Sequence, residues 1–309
     1  MVRHECAEAL GAIGAIRSMH ILRTAIEESK DIIEICETCE IAISHMEWNC
    51  KQKQYNSSEF ENQNSTQDNK EEEPMACACM LSPYSSIDPA PPHPKHKNIS
   101  TASLGNILRD VEQPLFERYR AMFSLRNRGG TDCVLELCHT LTSDCSSALL
   151  RHEIAYVLGQ MQHPASIDSL GESLRRYITI KSNGTELQKR EHRMVRHEAA
   201  EALGAIDNYE RWKDVESILM EFLHDEDIVV RESCIVALDA ADYWGHSQTV
   251  VNQENKASNE NKTNEACESK TEDYKQSQPN NLTFVQQKAI SNGKKSDNHS
   301  LLNHFNIEV

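Results

Sequence analysis

Three His-Glu pairs occur in one recurring phrase of the sequence, and they are the residues best suited to chemistry. They are His4 with Glu5, His152 with Glu153, and His197 with Glu198. Histidine nitrogen is a good ligand for first-row metals, and glutamate supplies a hard oxygen beside it. Two histidines and one carboxylate match the facial triad that leaves coordination positions open on iron. The second and third pairs therefore predict a metal site.

The His-Glu pairs also have a purely structural explanation, because an acidic residue near a helix start is stabilised by the helix dipole. Weaker copies of the phrase separate the two explanations. Residues 35–43 superpose on residues 2–10 with an offset of 33, and Glu37 then takes the position of His4. The apolar positions persist in such copies while the His-Glu pair does not. Packing therefore does not require the pair, which favours the chemical explanation.

The elements that position these pairs are predicted to be repeated helices. Residues 2–13 place five apolar residues on one face at helical spacing, namely Val2, Cys6, Ala9, Leu10 and Ile13. Further helices are expected over 18–28 and from Ile32. Periods of 33 to 35 residues with two helices each are typical of an α-solenoid of the HEAT or tetratricopeptide kind. The predicted fold class is all-α.

Composition divides the chain into two repeat blocks, 1–48 and 104–244. Residues 49–103 are rich in polar residues and proline and predict a disordered linker. Residues 245–309 predict a polar tail, and 181–193 predict a loop inserted between helices.

The charge balance and cysteine usage limit the partners and the compartment. A net charge of −16 argues against nucleic acid and suits a basic peptide or a cationic amine. No apolar run is long enough to cross a membrane, and no hydrophobic signal segment is present. The 11 cysteines lack framework spacing, so free thiols in the reducing cytoplasm are expected.

Several other residues have two explanations or a structural one. The arginine before each histidine fits either ion pairs or a repeat signature, and the glycine seven residues after each histidine fits either close helix packing or a helix end. Cys36 and Cys39 are expected to be core thiols. His93 and His96 are expected to be inert in the linker.

The sequence resembles the deoxyhypusine hydroxylase family over about 1–48 and 82–244. The resemblance is carried by residues 87–92, 114–123, 150–160, 194–206 and 229–234. It implies two pseudo-symmetric HEAT-repeat halves that hold a di-iron centre, with two Fe(II) ions in a complete site. It also implies hydroxylation of the deoxyhypusine side chain of eukaryotic translation initiation factor 5A by molecular oxygen.

The resemblance also implies roles for individual residues. His152, His197 and Glu198 are expected to bind one iron, while Glu153 faces the substrate amine as a catalytic and substrate-binding residue. His4 and Glu5 resemble iron ligands of the other half. The family pattern has four His-Glu motifs and this sequence has three, so the second iron is expected to lack a histidine ligand. The chain is then expected to be either a fragment of a longer protein or a degenerate copy that has lost the activity.

Two alternative functions remain open at this point. One is a non-catalytic HEAT scaffold that has kept relic His-Glu pairs. The other is a bilin-lyase-like HEAT protein, whose repeats need not carry paired iron ligands. Bound iron would distinguish the enzyme from both alternatives.

Overall fold

The computed structural model describes residues 2–62, 84, 86–182, 185–208 and 210–240. This part of the chain is built mainly of α-helices, as the repeat pattern predicted. The helices are α1 Val2–Ile13, α2 Met19–Glu28, α3 Ile33–Asn62, α4 Thr101–Arg109, α5 Leu115–Arg128, α6 Thr131–Ser143, α7 Ala148–Met161, α8 Ile167–Arg175, α9 Arg193–Ala205, α10 Trp212–Met220 and α11, residues 228–240. None of these helices is long and apolar enough to span a membrane.

The helices that carry the His-Glu phrase pack closely on the corresponding helix of the next repeat. A β-carbon added at Gly204 would lie 2.8 Å from the β-carbon of Ala237 on α11. One added at Gly159 would lie 3.1 Å from that of Ala202, and Gly11 meets Ala42 in the same way. The glycines therefore permit close helix approach, one of the two explanations that the sequence left open.

Replacing Gly204 with valine is expected to lower the free energy of unfolding by about 2 kcal/mol, because the side chain would overlap the backbone of Ala237. Urea unfolding of the full chain measures the change. The control is Ala9→Val, at an exposed position of α1, where only helix propensity changes, by about 0.5 kcal/mol. Equal losses in the two variants would show that the close approach does not matter.

The arginine that precedes each histidine makes a structural contact, and Arg151 and Arg196 are buried whereas Arg3 is exposed. Arg196 forms an ion pair with Asp225, and Arg151 donates to Glu191 at 2.7 Å. Arg3 donates to the hydroxyl of Ser29 instead. Two of the three arginines therefore form buried ion pairs that tie a helix to a later loop.

The buried face of α1 differs from the predicted one. Of the five residues predicted to share the packed face, Leu10 is partly buried, whereas the other four are exposed, namely Val2, Cys6, Ala9 and Ile13. The buried residues are His4, Ala7 and Gly11. The helix packs through its small residues and its histidine, because Gly11 lets α1 approach α3 closely.

The prediction of a disordered linker over 49–103 is wrong at its N-terminal end. Helix α3 continues through residues 49–62 without interruption. This stretch contains neither glycine nor proline, so nothing in it stops the helix. Residues 63–83 and the predicted tail, 245–309, lie outside the described residues.

The C-terminal end of the predicted linker packs on α5. Asp88 forms an ion pair at 2.6 Å with Arg126, which is fully buried. The ring of His96 is also buried, with Nδ1 2.7 Å from the hydroxyl of Ser124. The packing of this segment was not predicted from its composition, because its polar side chains are held in place by pairing with groups on a distant helix.

The predicted loop at 181–193 contains a β-hairpin. Strand β1, Tyr177–Ser182, pairs antiparallel with β2, Thr185–Arg190, and Tyr177 lies opposite Arg190. The first strand includes the β-branched run from Ile178 to Ile180, which favours extended backbone. Helix α9 then begins at Arg193.

Candidate metal centre

His152, His197 and Glu198 come together in the packed interface of α7 and α9. One ligand atom from each lies within 4.8 Å of those of the other two, and all three residues are buried. Nε2 of His152 is 3.3 Å from Oε2 of Glu198. In the described part of the chain this is the one group of three such residues with metal-ligand spacing.

The two helices place their histidines at the same position, the fifth residue of each helix. Side-chain caps fix both helix starts. The hydroxyl of Ser147 accepts from the backbone N–H of Leu150, and Nδ1 of His192 accepts from that of Met194. Because the helices also approach closely at Gly159, the equivalent residues of the two repeats face each other.

Three of the four imidazole nitrogens of His152 and His197 lack a hydrogen-bond partner. Both ring nitrogens of His152 and Nε2 of His197 are buried without a hydrogen bond. Buried polar atoms in proteins almost always have a partner, and an unpaired one calls for an explanation such as a missing ion. A His₂Glu donor set suits a first-row divalent metal, so the residues fit the predicted metal.

Burial favours the neutral forms of both His152 and Glu198 in this group. It lowers the pKa of His152 to about 3, with a further contribution from neighbouring His197. Neutral imidazole is the form that binds metals. Burial also raises the pKa of Glu198 to about 8, and the charge of Glu201 adds to this. A bound metal ion would stabilise the carboxylate that burial otherwise disfavours.

Glu201 supports the centre and was not found from the sequence. Nδ1 of His197 lies 3.4 Å from Oε1 of Glu201, and the hydroxyl of Ser233 donates to the same oxygen at 2.9 Å. Donation from Nδ1 to this carboxylate leaves the Nε2 lone pair available to a metal. The signal in the sequence was a glutamate four residues after the histidine in two of the three phrases, Glu8 and Glu201.

Replacing Glu201 with alanine is expected to weaken metal binding by about 10- to 100-fold, because the ring of His197 loses the carboxylate that orients it. Competition with a fluorescent chelator measures the affinity for iron(II). The control is Glu172→Ala, which removes an exposed carboxylate from α8. Equal affinities for the two variants would contradict a supporting role for Glu201.

His4 lies beside the group, whereas Glu5 points largely to solvent. The ring centroids of His4 and His152 are 5.3 Å apart. Nδ1 of His4 donates to the hydroxyl of Thr38 at 2.7 Å, since that hydroxyl itself donates to a backbone carbonyl. Nε2 of His4 is buried without a hydrogen bond. The Glu5 side chain is 61% exposed, with a carboxylate oxygen 3.9 Å from that nitrogen.

Glu153 and Glu8 line a cavity next to the metal group, between α1, α3, α5 and α7. Glu153 is 3% exposed, and burial, together with the charges of Glu8 and Glu198, raises its pKa well above the ordinary value. Burial raises the pKa of Glu8 to about 7, helped by the charges of Glu5 and Glu198. Carboxyl groups in such a cavity favour a cationic ligand.

The all-α repeats and the buried His₂Glu group beside an acidic cavity indicate a HEAT-like protein with a candidate metal site. The family model of the PBS lyase HEAT-like repeat matches residues 2–28 and 150–176. These ranges include α1 and α7, each with its His-Glu pair. The predicted fold class is thereby confirmed.

Curated relatives identify the family more narrowly. The chain is 45% identical to the deoxyhypusine hydroxylase of Gibberella zeae, over 79% of the chain and 64% of that protein. It is 42% identical to the deoxyhypusine hydroxylase of Danio rerio, over 80% of the chain and 68% of that protein. The chain thus spans about two thirds of the length of these relatives, and slightly less of the fungal one.

A solved structure gives the same result. The human deoxyhypusine hydroxylase in complex with glycerol is 40% identical, with a TM-score of 0.59, over 79% of the chain and 68% of that structure. This chain belongs to the deoxyhypusine hydroxylase family. The resemblance stated from the sequence is therefore confirmed.

Proposed function

We propose that this chain hydroxylates the deoxyhypusine side chain of eukaryotic translation initiation factor 5A, with iron and molecular oxygen. The observation that carries the proposal is the buried group of His152, His197 and Glu198 next to the acidic cavity that Glu153 lines. Membership of the family supports the reaction and the substrate class.

His152, His197 and Glu198 would hold one iron. His4 and Glu5 would contribute to a second iron, for which the described residues provide fewer ligands. Iron supplies the activation of dioxygen when it is bound, and this is chemistry that no side chain of the protein can perform. The chain supplies the ligands, their orientation through Glu201, and surroundings that exclude water.

Glu153 would hold the terminal ammonium of the substrate side chain. Because the carboxylate is buried, an ammonium that replaces water there gains a strong charge-assisted interaction. Glu153 follows His152 directly on α7, so the ammonium would be fixed next to the metal group. Two other residues of the cavity wall are joined by a hydrogen bond, which the hydroxyl of Tyr119 donates to the backbone carbonyl of Leu149 at 3.2 Å.

The charge and thiols of the chain agree with this substrate and with a cytoplasmic location. A net charge of −16 favours the approach of a cationic substrate. Each cysteine in the described ranges is a free thiol, as expected in a reducing compartment.

A direct assay tests the proposal. The purified chain is mixed with iron(II), a reductant, oxygen and the factor that carries deoxyhypusine, and mass spectrometry follows the factor. The expected result is the gain of one oxygen atom, derived from labelled dioxygen. Factor with an unmodified lysine is the control and should gain none. Absence of the added oxygen with an iron-loaded chain would overturn the proposal and favour a non-catalytic scaffold.

A further inference from the structure

Three polar residues on one face of helix α3 reach all three helices that carry a His-Glu pair. They are Glu34, Glu37 and Thr38, which lie three and four residues apart and so share one side of the helix. Thr38 contacts α1, Glu37 contacts the start of α7, and Glu34 contacts the start of α9. This polar face of α3 therefore joins the two repeat blocks around the metal group.

Glu37 holds the side chain that caps α7. The hydroxyl of Ser147 donates to Oε2 of Glu37 at 2.8 Å, while its oxygen accepts from the backbone N–H of Leu150 at 3.0 Å. Ser147 is buried, so Glu37 supplies the acceptor that water would provide at a surface cap. The start of α7, and with it His152 just over one turn later, is thereby tied to α3.

Glu34 faces the corresponding residue of α9. Nδ1 of His192 accepts from the backbone N–H of Met194 at 3.3 Å, so the hydrogen of the neutral ring is on Nε2. That Nε2 lies 3.5 Å from Oε1 of Glu34. Burial lowers the pKa of His192, which favours the neutral ring at neutral pH. The Glu34 carboxylate therefore favours the tautomer and the ring position that cap α9.

Thr38 orients the histidine of α1 directly. Its hydroxyl donates to the backbone carbonyl of Glu34 at 2.7 Å and therefore accepts from Nδ1 of His4, also at 2.7 Å. The lone pair of His4 is then on Nε2, which is buried without a hydrogen bond. Helix α3 thus acts on the ring itself in α1 and on the helix start in α7 and α9.

The weaker copy of the phrase on α11 repeats the contact that Thr38 makes. Residues 230–238 superpose on 195–203, and Ser233 there stands at the same position of the phrase as Thr38. Ser233 donates to Glu201, which lies beside Nδ1 of the histidine on α9. A hydroxyl at this position therefore acts on the histidine of the preceding repeat in both copies. This recurrence favours an orienting role for the copies that lack a His-Glu pair.

We propose that the polar face of α3 positions the metal group, with Glu34 and Glu37 as positioning residues for α9 and α7. The inference rests on the proposed function, because it takes His152, His197 and Glu198 as metal ligands. Both histidines are the fifth residue of their helix, so a shift of either cap moves a ligand atom. Such atoms must be held to within about 0.5 Å, and α3 contacts both caps from one rigid element. The N-terminal block thereby sets the geometry of a centre whose ligands lie in the C-terminal block.

Cobalt(II) binding to the full chain tests this role, because cobalt(II) shares the ligand preference of iron(II) and its visible absorption reports the coordination geometry. Replacing both residues, Glu34→Ala with Glu37→Ala, should weaken cobalt binding by about tenfold and change the visible spectrum. Replacing both with glutamine should restore the parental values, since each amide keeps an oxygen that accepts from Ser147 or His192. The control is Glu40→Ala, at an exposed position of the same helix, which should change neither readout.

Hydrogen exchange of the metal-free chain, followed by mass spectrometry, gives a second readout. The double alanine variant should exchange faster in peptides that cover the starts of α7 and α9, residues 147–153 and 192–198, because both caps lose their anchor. Peptides that cover α8 should exchange as in the parent chain. Thermal unfolding shows whether the variant is folded.

Four results would overturn the inference. These are parental cobalt affinity and spectrum in a folded double alanine variant, no recovery in the double glutamine variant, exchange that rises equally along the whole chain, and no cobalt binding to the parent chain. The proposed function can fail separately. Cobalt binding that depends on the two glutamates, without hydroxylation by the iron-loaded chain, would sink the proposed function alone. Hydroxylation by the parent with a cobalt site that the alanine variant leaves unchanged would sink this inference alone.

Discussion

Replacing His197 with alanine is expected to weaken iron(II) binding by at least about 100-fold and to abolish hydroxylation, because a direct ligand matters more than the residues that orient it. The substitution removes the buried Nε2 that has no hydrogen-bond partner in the structure. It also leaves Glu198 with one neighbouring imidazole instead of two. The remaining pair, His152 and Glu198, would be 3.3 Å apart but could offer no more than two ligands.

Chelator competition under anaerobic conditions measures this loss, and mass spectrometry of the factor measures the turnover. The matched control is His139→Ala, which removes an exposed histidine from α6 and should leave both readouts unchanged. Circular dichroism shows whether the His197 variant keeps its helices. Retention of parental iron affinity in a folded His197→Ala chain would exclude this histidine as a ligand.

Replacing Glu153 with glutamine is expected to lower kcat/KM for deoxyhypusine-bearing factor by about 100-fold, because a buried charge partner of the substrate ammonium is lost. The same change should stabilise the metal-free chain. Burial raises the pKa of Glu153, so above the ordinary carboxyl pKa the folded chain must either keep a proton that the unfolded chain releases or bury the charge, and either costs folding free energy. The neutral amide has no such cost, and the gain in stability should grow as the pH rises through and above that value.

Steady-state kinetics and thermal unfolding over a range of pH measure the two effects. The matched control is Glu40→Gln, at an exposed position of α3, for which neither quantity should change. A fall in activity together with a fall in stability at neutral pH would show instead that the carboxylate has a structural role. The Glu153 carboxylate would then stabilise the fold rather than bind the substrate ammonium.

The repeat and its His-Glu pairs could be predicted from the sequence because both are periodic. Each phrase must bury one face and leave space for the next helix, so Gly159 and Gly204 recur at a fixed distance from the histidine. The arrangement of His152 and His197 follows from that period. Equivalent residues of adjacent repeats face each other when the repeats pack side by side.

The features that were missed depend on contacts between distant parts of the chain. Asp88 was assigned to a linker because its composition is polar, but it is held in place by buried Arg126. The hairpin of β1 and β2 was read as a loop, since a two-stranded ribbon leaves a weak pattern. Nothing in the sequence marks His45 as a cavity residue, because its position depends on the packing of four helices.

The most direct measurement is an anaerobic titration of the full chain with iron(II). One equivalent should bind at His152, His197 and Glu198, at least about tenfold more tightly than any further iron, since His4 and Glu5 provide fewer ligands. Binding of that first equivalent should be lost when His152 and His197 are both replaced by alanine. Iron that binds the parent chain no better than the double variant would contradict a metal centre at this group.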